Sequence, residues 1–150
     1  MRDFHVDNLM GLAGRDGIEA CGLLDFQDAV VGHPAYDLMS LLEDARRDIG
    51  AELAGAMVER YHAAFPGWDR DAFDVAYAVL AAQRHAKVVG IFTRLSVRDG
   101  KADYLIHIPR VWRLLERALE HRSLAAPAGW LDRHLAKNKR GIPPCPPSAQ

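Results

Sequence analysis

The stretch RDFHVDN, residues 2–8, sets a carboxylate at Asp3 and a carboxamide at Asn8 on either side of an imidazole at His5. Phosphoryl transfer needs a carboxylate beside the acceptor hydroxyl and a metal ligand a little further along the phosphates. One short loop leading into a strand can supply both. An ordinary Asp–Asn turn has the same spacing, so both readings stand on this pair alone. "GLLDFQD" adds Asp25, directly after the apolar Gly22-Leu23-Leu24. A carboxylate ending an apolar run is costly to bury unless something cationic pairs with it, and a metal ion would do so. The other reading of Asp25 is a loop residue capping the next segment. "GHPAYDL" then places Asp37 in the first turn of a long helical pattern, where a negative charge is favoured by the helix N-terminus.

The elements that must position these groups follow from periodicity. "NLMGL" and "IEACGLLDF" are apolar runs joined by the turn-rich "AGRDG", which predicts a β-hairpin within residues 1 to about 31. From Pro34 onward the period is helical. "PAYDLMSLLEDARRD" carries Leu38, Leu41, Leu42 and Ala45 on one face, with Pro34 suited to a helix start. "AELAGAMVERYHAAF" predicts a second helix, stopped by Pro66-Gly67. The stretch from Asp71 to Arg98 keeps a helical period through Phe73, Tyr77, Leu80, Val88, Ile91 and Leu95, ending at Asp99-Gly100. A helix starting near Pro109 should hold Val111, Trp112, Leu115 and Leu119, and the amphipathic "AGWLDRHL" follows. The expected fold is α+β and mainly α, a short N-terminal hairpin followed by a helical bundle over residues 1–135. The Pro-rich, polar segment 136–150 is expected to be disordered or held on the surface.

Composition bounds the function. The 150 residues are one domain's worth of chain, 49% hydrophobic and 26% charged, as in ordinary folded proteins. With 19 Lys+Arg against 20 Asp+Glu the net charge is -1, which argues against a nucleic-acid partner. The apolar runs are too short to span a bilayer, so no membrane partner is expected. Two cysteines, Cys21 and Cys145, have no ligand-spaced Cys or His around them, which disfavours a zinc site and leaves a cytoplasmic protein as the expectation. "GLAGRDG" lacks the Lys-Ser/Thr end of a phosphate loop. Arg84, Arg94 and Arg110 read either as contacts for a planar anion or as solvated helix positions.

Kinases use a loop of the form H-R-D-x-x-x-x-N, and Arg2, Asp3 and Asn8 fill its last three defined positions. The order RDFHVDN, then GLLDFQDA, then GHPAYDL resembles the aminoglycoside phosphotransferase superfamily. Its members share H-x-D-x-H-x-x-N, I-D-W/F-x-x-A and G-x-P-x-x-D-L. Here Met1 stands in place of the leading His. "LLDFQDA", "SLLEDARRD" and "QRHAKVVGIFTRLSVRDGK" are most similar to bacterial cell-wall sugar kinases. Those phosphorylate the anomeric hydroxyl of N-acetylmuramate and N-acetylglucosamine in peptidoglycan recycling. The similarity runs from Arg2 to about Glu120.

The resemblance implies a kinase-like C-terminal lobe with ATP as co-substrate and Mg²⁺ as cofactor. It implies that Asp3 is the general base toward the sugar hydroxyl, a role contributing about 10²–10⁴-fold in rate. Asn8 and Asp25 would hold magnesium, while His5 and Asp37 would support the catalytic loop. Asp28 would help hold sugar hydroxyls, with a plain solvated acid as the alternative. A kinase of this type also has an N-terminal lobe with a Gly-rich strand pair and a phosphate-contacting Lys. Neither is in these 150 residues, so a lobe supplied in cis or in trans is expected, along with low autonomous activity. The alternatives are a kinase fragment acting on aminoglycosides or other small alcohols, and a non-catalytic helical binding module.

Overall fold

A computed structural model describes Met1 and residues 3–144. Arg2, Cys145 and the remainder of the Pro-rich end lie outside the described residues. Among the described residues the order of elements is a two-stranded antiparallel hairpin and then five α-helices, an α+β and mainly α fold, as the periodicity predicts.

The chain forms two compact units. The first holds Met1–Asp44 and Asp48–Trp68. Here a 3-10 turn over Val6–Asn8 leads into β1 (Leu9–Gly11), which pairs with β2 (Cys21–Leu23) in the register Leu9↔Leu23, Met10↔Gly22 and Gly11↔Cys21. The connection is longer than a tight turn, because Gly17–Ala20 forms a further 3-10 turn ahead of β2. Gly14 and Gly17 take φ of 76° and 57°, left-handed values that glycine reaches at little steric expense. Backbone pairing continues past both strands, Leu12 N to Ala20 O at 2.8 Å and Leu24 N to Asn8 O at 2.9 Å.

α1 (Ala35–Leu42) follows Pro34 and buries Ala35, Met39, Ser40 and Leu42. It ends earlier than the run PAYDLMSLLEDARRD suggests. Two acids, Glu43 and Asp44, would stand in the last turn of a longer helix, where the carbonyl end of the dipole repels them. The backbone leaves the helical region at Glu43, and both acids are buried. α2 (Ala51–Ala64) stops at Phe65 before Pro66-Gly67. The rings of Phe65 and Trp68 stack there at 4.5 Å, with Tyr61 5.0 Å from Phe65.

The second unit holds Ala45–Arg47 and the chain from Asp69 onward. α3 (Arg70–Asp99) has both ends capped locally. The Asp69 carboxylate accepts from Ala72 N at 3.0 Å, and Gly100 closes the helix in a left-handed conformation with φ of 67°. Its buried line runs through Phe73, Ala78, Ala81, His85, Phe92 and Ser96, and the larger Val88, Ile91 and Leu95 flank it. α4 (Ile108–Leu119) has Pro109 in its first turn. Phe92, Ile108 and Val111 form the centre of the core, with Tyr104, Leu105 and Trp112 against them.

α5 (Ala125–His134) is followed by a 3-10 turn over Lys137–Lys139. Arg140 then fastens the segment. Its guanidinium reaches Glu116 Oε1 on α4 at 2.9 Å and Asp132 Oδ1 on α5 at 2.5 Å, and Nε donates to Leu135 O at 2.9 Å. That side chain is only 3% exposed. Burial works against its charge, but the hydrogen bonds and charges of Asp132 and Glu116 outweigh this and raise its pKa. The Arg140 hydrogen bond in turn holds the Asp132 carboxyl below its ordinary range.

Candidate active site

The loop ahead of β1 folds around His5. A 3-10 turn is the tightest way to reverse the chain between His5 and Asn8, and the amide of Asn8 donates to His5 O at 2.9 Å to close it. The imidazole turns inward, its side chain 10% exposed, while Asp3 and Asp7 remain exposed around it. His5 Nε2 lies 3.5 Å from Asp3 Oδ2, and Nδ1 lies 3.8 Å from Asp7 Oδ2. The side-chain nitrogen of Asn8 is 2.9 Å from Asp3 O and 3.3 Å from His5 Nε2. Asp3, His5, Asp7 and Asn8 therefore form one local cluster.

The hairpin brings Asp25 toward this cluster. Because Leu24 N donates to Asn8 O, Asp25 is the residue next to the one paired with Asn8, although 17 positions separate them in the chain. Asp25 has φ of 53°, and among the described residues no other non-glycine residue has a positive φ. Asp tolerates this region better than most L-residues, but it still carries strain. Gln27 Nε2 donates to Asp25 Oδ1. Asp28 lies exposed in the same loop.

Asp37, from the first turn of α1, is brought to the start of the loop. The α-ammonium of Met1 donates to Asp37 Oδ2 at 2.5 Å. Asp37 Oδ1 is buried without a hydrogen-bond partner among the described residues. Tyr61 on α2 lies within reach of that charge. Burial first, and then the negative Asp37, push its phenol pKa up.

The donor set fits a hard divalent cation. Asn8 uses its nitrogen within the loop, which leaves its carbonyl oxygen available, and Asp25 offers a carboxylate. Mg²⁺ is commonly held by one or two protein oxygens, completed by phosphates and water. Among the described residues no three His, Cys, Asp or Glu side chains converge as a closed metal site.

Sequence reasoning passed over Asp7 and Gln27, whose side chains face His5 Nδ1 and Asp25. The spacings H-V-D and D-F-Q were the available signals. Of the arginines considered as anion contacts, Arg110 donates to the backbone oxygen of Arg47. Trp130 is exposed and packs on His134 at 4.7 Å.

Residues 2–73 match the family described as the phosphotransferase enzyme family. The N-acetylmuramate/N-acetylglucosamine kinase of Caulobacter vibrioides is 45% identical over 139 residues, covering 93% of this chain and 38% of that protein. The protein of the same name from Neisseria meningitidis serogroup B is 41% identical over 138 residues, 84% of this chain and 38% of its own length. That of Pseudomonas aeruginosa is 39% identical over 136 residues, 87% of this chain and 39% of its own length. The chain spans about two fifths of the length of these curated relatives. No helix among the described residues is long and apolar enough to cross a membrane.

Proposed function

We propose, from the match of residues 2–73 to the phosphotransferase enzyme family, that the chain carries the acceptor-activating and metal-binding part of an ATP-dependent amino-sugar kinase. The proposed acceptor is the anomeric hydroxyl of N-acetylmuramate or N-acetylglucosamine, the sugars in the names of the relatives. The observation that carries this reading is the backbone pairing of Asn8 with Leu24. It sets Asp25 beside the loop that holds Asp3.

In the proposed reaction the Asp3 carboxylate accepts the proton of the sugar hydroxyl as its oxygen bonds to the γ-phosphorus of ATP. The bond from that phosphorus to the β–γ bridging oxygen breaks, and ADP leaves with the electron pair. Asp3 suits the task because its side chain is 56% exposed and open to a substrate. An anomeric hydroxyl is more acidic than an ordinary alcohol, so a carboxylate is a strong enough base. Asn8 and Asp25 would hold Mg²⁺, which when bound neutralises phosphate charge. His5 and Asp37 keep the loop in place from its two ends, and Asp28 is available to a sugar hydroxyl. The strand pair and lysine that cradle the phosphates are proposed to come from sequence outside this span, in cis or in trans.

A chimera tests the reading. The matching segment of the Caulobacter vibrioides kinase is replaced by this chain, folding is checked by circular dichroism, and transfer of labelled phosphate from ATP to N-acetylmuramate is measured. Sugar phosphate formation that requires Mg²⁺ is expected. A folded chimera that phosphorylates neither sugar would overturn the proposal.

A further inference from the structure

The orientation of the Asn8 carboxamide is dictated by its neighbours. One end lies 2.9 Å from Asp3 O, and a backbone carbonyl only accepts hydrogen bonds, so that end is the NH₂ group. The same nitrogen is 3.3 Å from His5 Nε2. A proton on Nε2 would point at another donor, whereas a lone pair there accepts the second Asn8 proton. Nε2 also lies 3.5 Å from Asp3 Oδ2, but the Asn8 nitrogen is the nearer neighbour. With Nε2 accepting from Asn8, the neutral imidazole carries its proton on Nδ1, on the side of Asp7 Oδ2 at 3.8 Å. With His5 only 8% exposed, these neighbours rather than bulk water choose the tautomer.

We propose that His5 is a positioning residue. As the Nδ1–H tautomer, with the Asp7 carboxylate on its Nδ1 side, it accepts from Asn8 through Nε2 and thereby presents Asn8 Oδ1 as the free, metal-facing end of the amide. A flipped amide would set its oxygen against two acceptors, Asp3 O and the Nε2 lone pair. Asp7 and His5 thus form an outer shell around the Asn8 oxygen, and partners of this kind typically change metal affinity by about 10–100-fold. The metal-facing half of this inference rests on the kinase reading of Asn8. The tautomer and the amide orientation do not.

Nitrogen NMR of the uniformly labelled chain, without metal, addresses the tautomer directly. The expected result is a protonated Nδ1, an unprotonated Nε2 and a displaced Asn8 NH₂ signal. A protonated Nε2 in the neutral ring would overturn the inference. His5→Gln keeps an acceptor oxygen where Nε2 stood, and His5→Leu removes it. Titration with MgCl₂, followed at the Asn8 side-chain signal, should give His5→Gln an affinity within a few-fold of the parent and His5→Leu one about 10–100-fold weaker. Equal affinities in the two variants would overturn the positioning role, and the tautomer measurement stands even if His5→Leu does not fold. If the parent shows the expected tautomer but Mg²⁺ leaves Asn8 unmoved, the metal-facing half falls together with the kinase reading of Asn8, and the tautomer assignment survives.

Discussion

Leu24 N donates to Asn8 O at 2.9 Å, so the residue that follows β2 lies next to the residue that precedes β1. This one backbone bond converts a separation in sequence into a shared end of a hairpin. It also places Asp25 where the chain must leave the strand, and Asp25 takes a φ of 53° to do so.

Asp25→Gly separates stability from binding. Glycine reaches the left-handed region without the steric penalty, which for an ordinary L-residue is about 1–2 kcal/mol. Greater freedom of the unfolded chain offsets part of that gain. The variant should match or exceed the parent in urea denaturation by up to about 1 kcal/mol and lose Mg²⁺ binding. Destabilisation together with intact Mg²⁺ binding would contradict both halves.

Asp3→Asn removes the carboxylate that the proposed mechanism uses while keeping its shape. In the kinase chimera, turnover should fall by about 10²–10⁴-fold with little change in the KM for ATP. Steady-state kinetics with N-acetylmuramate as acceptor provide the check, and unchanged turnover would remove Asp3 from the role of base.

The two ends of α3 should be energetically independent. Asp69→Ala removes the side-chain cap on Ala72 N and should cost about 1 kcal/mol. Gly100→Ala meets no neighbouring atom, so its cost of about 1 kcal/mol comes from the left-handed backbone alone. Because the sites lie at opposite ends of a 30-residue helix, the double variant should equal the sum to within about 0.5 kcal/mol. Thermal or urea unfolding of the three variants measures this.

Arg140→Met should weaken the attachment of residues 136–144 and lower the unfolding temperature. The effect has a defined pH dependence. The folded pKa of Asp132 is depressed by the Arg140 hydrogen bond, so its contribution is present above the unfolded carboxylate value of about 4 and is lost as pH falls through the folded value. The gap between parent and variant should therefore be widest near neutral pH and narrow in acid. Melting curves across that range would show a constant gap if Asp132 contributed nothing.

The sequence by itself determined the mainly helical fold and the order of its elements. Those features rest on local causes: the apolar period of α3, the Asp69 cap, the stop at Gly100, Pro109 at the start of α4 and the left-handed glycines of the hairpin turn. It also brought Asp3, His5 and Asn8 into consideration, because a loop of seven residues cannot place them far apart. Tertiary structure decided what depends on partners distant in the chain. The pairing that sets Asp25 beside Asn8, the contact of Asp37 with the start of the loop, and the Arg140 bridge to Glu116 and Asp132 all join separated segments. The early end of α1 belongs here too, since Glu43 and Asp44 are drawn into burial that no local propensity announces. Orientation was decided last. A sequence names Asn8 as a ligand type, but only the carbonyl of Asp3 and the ring of His5 fix which end of its amide is free.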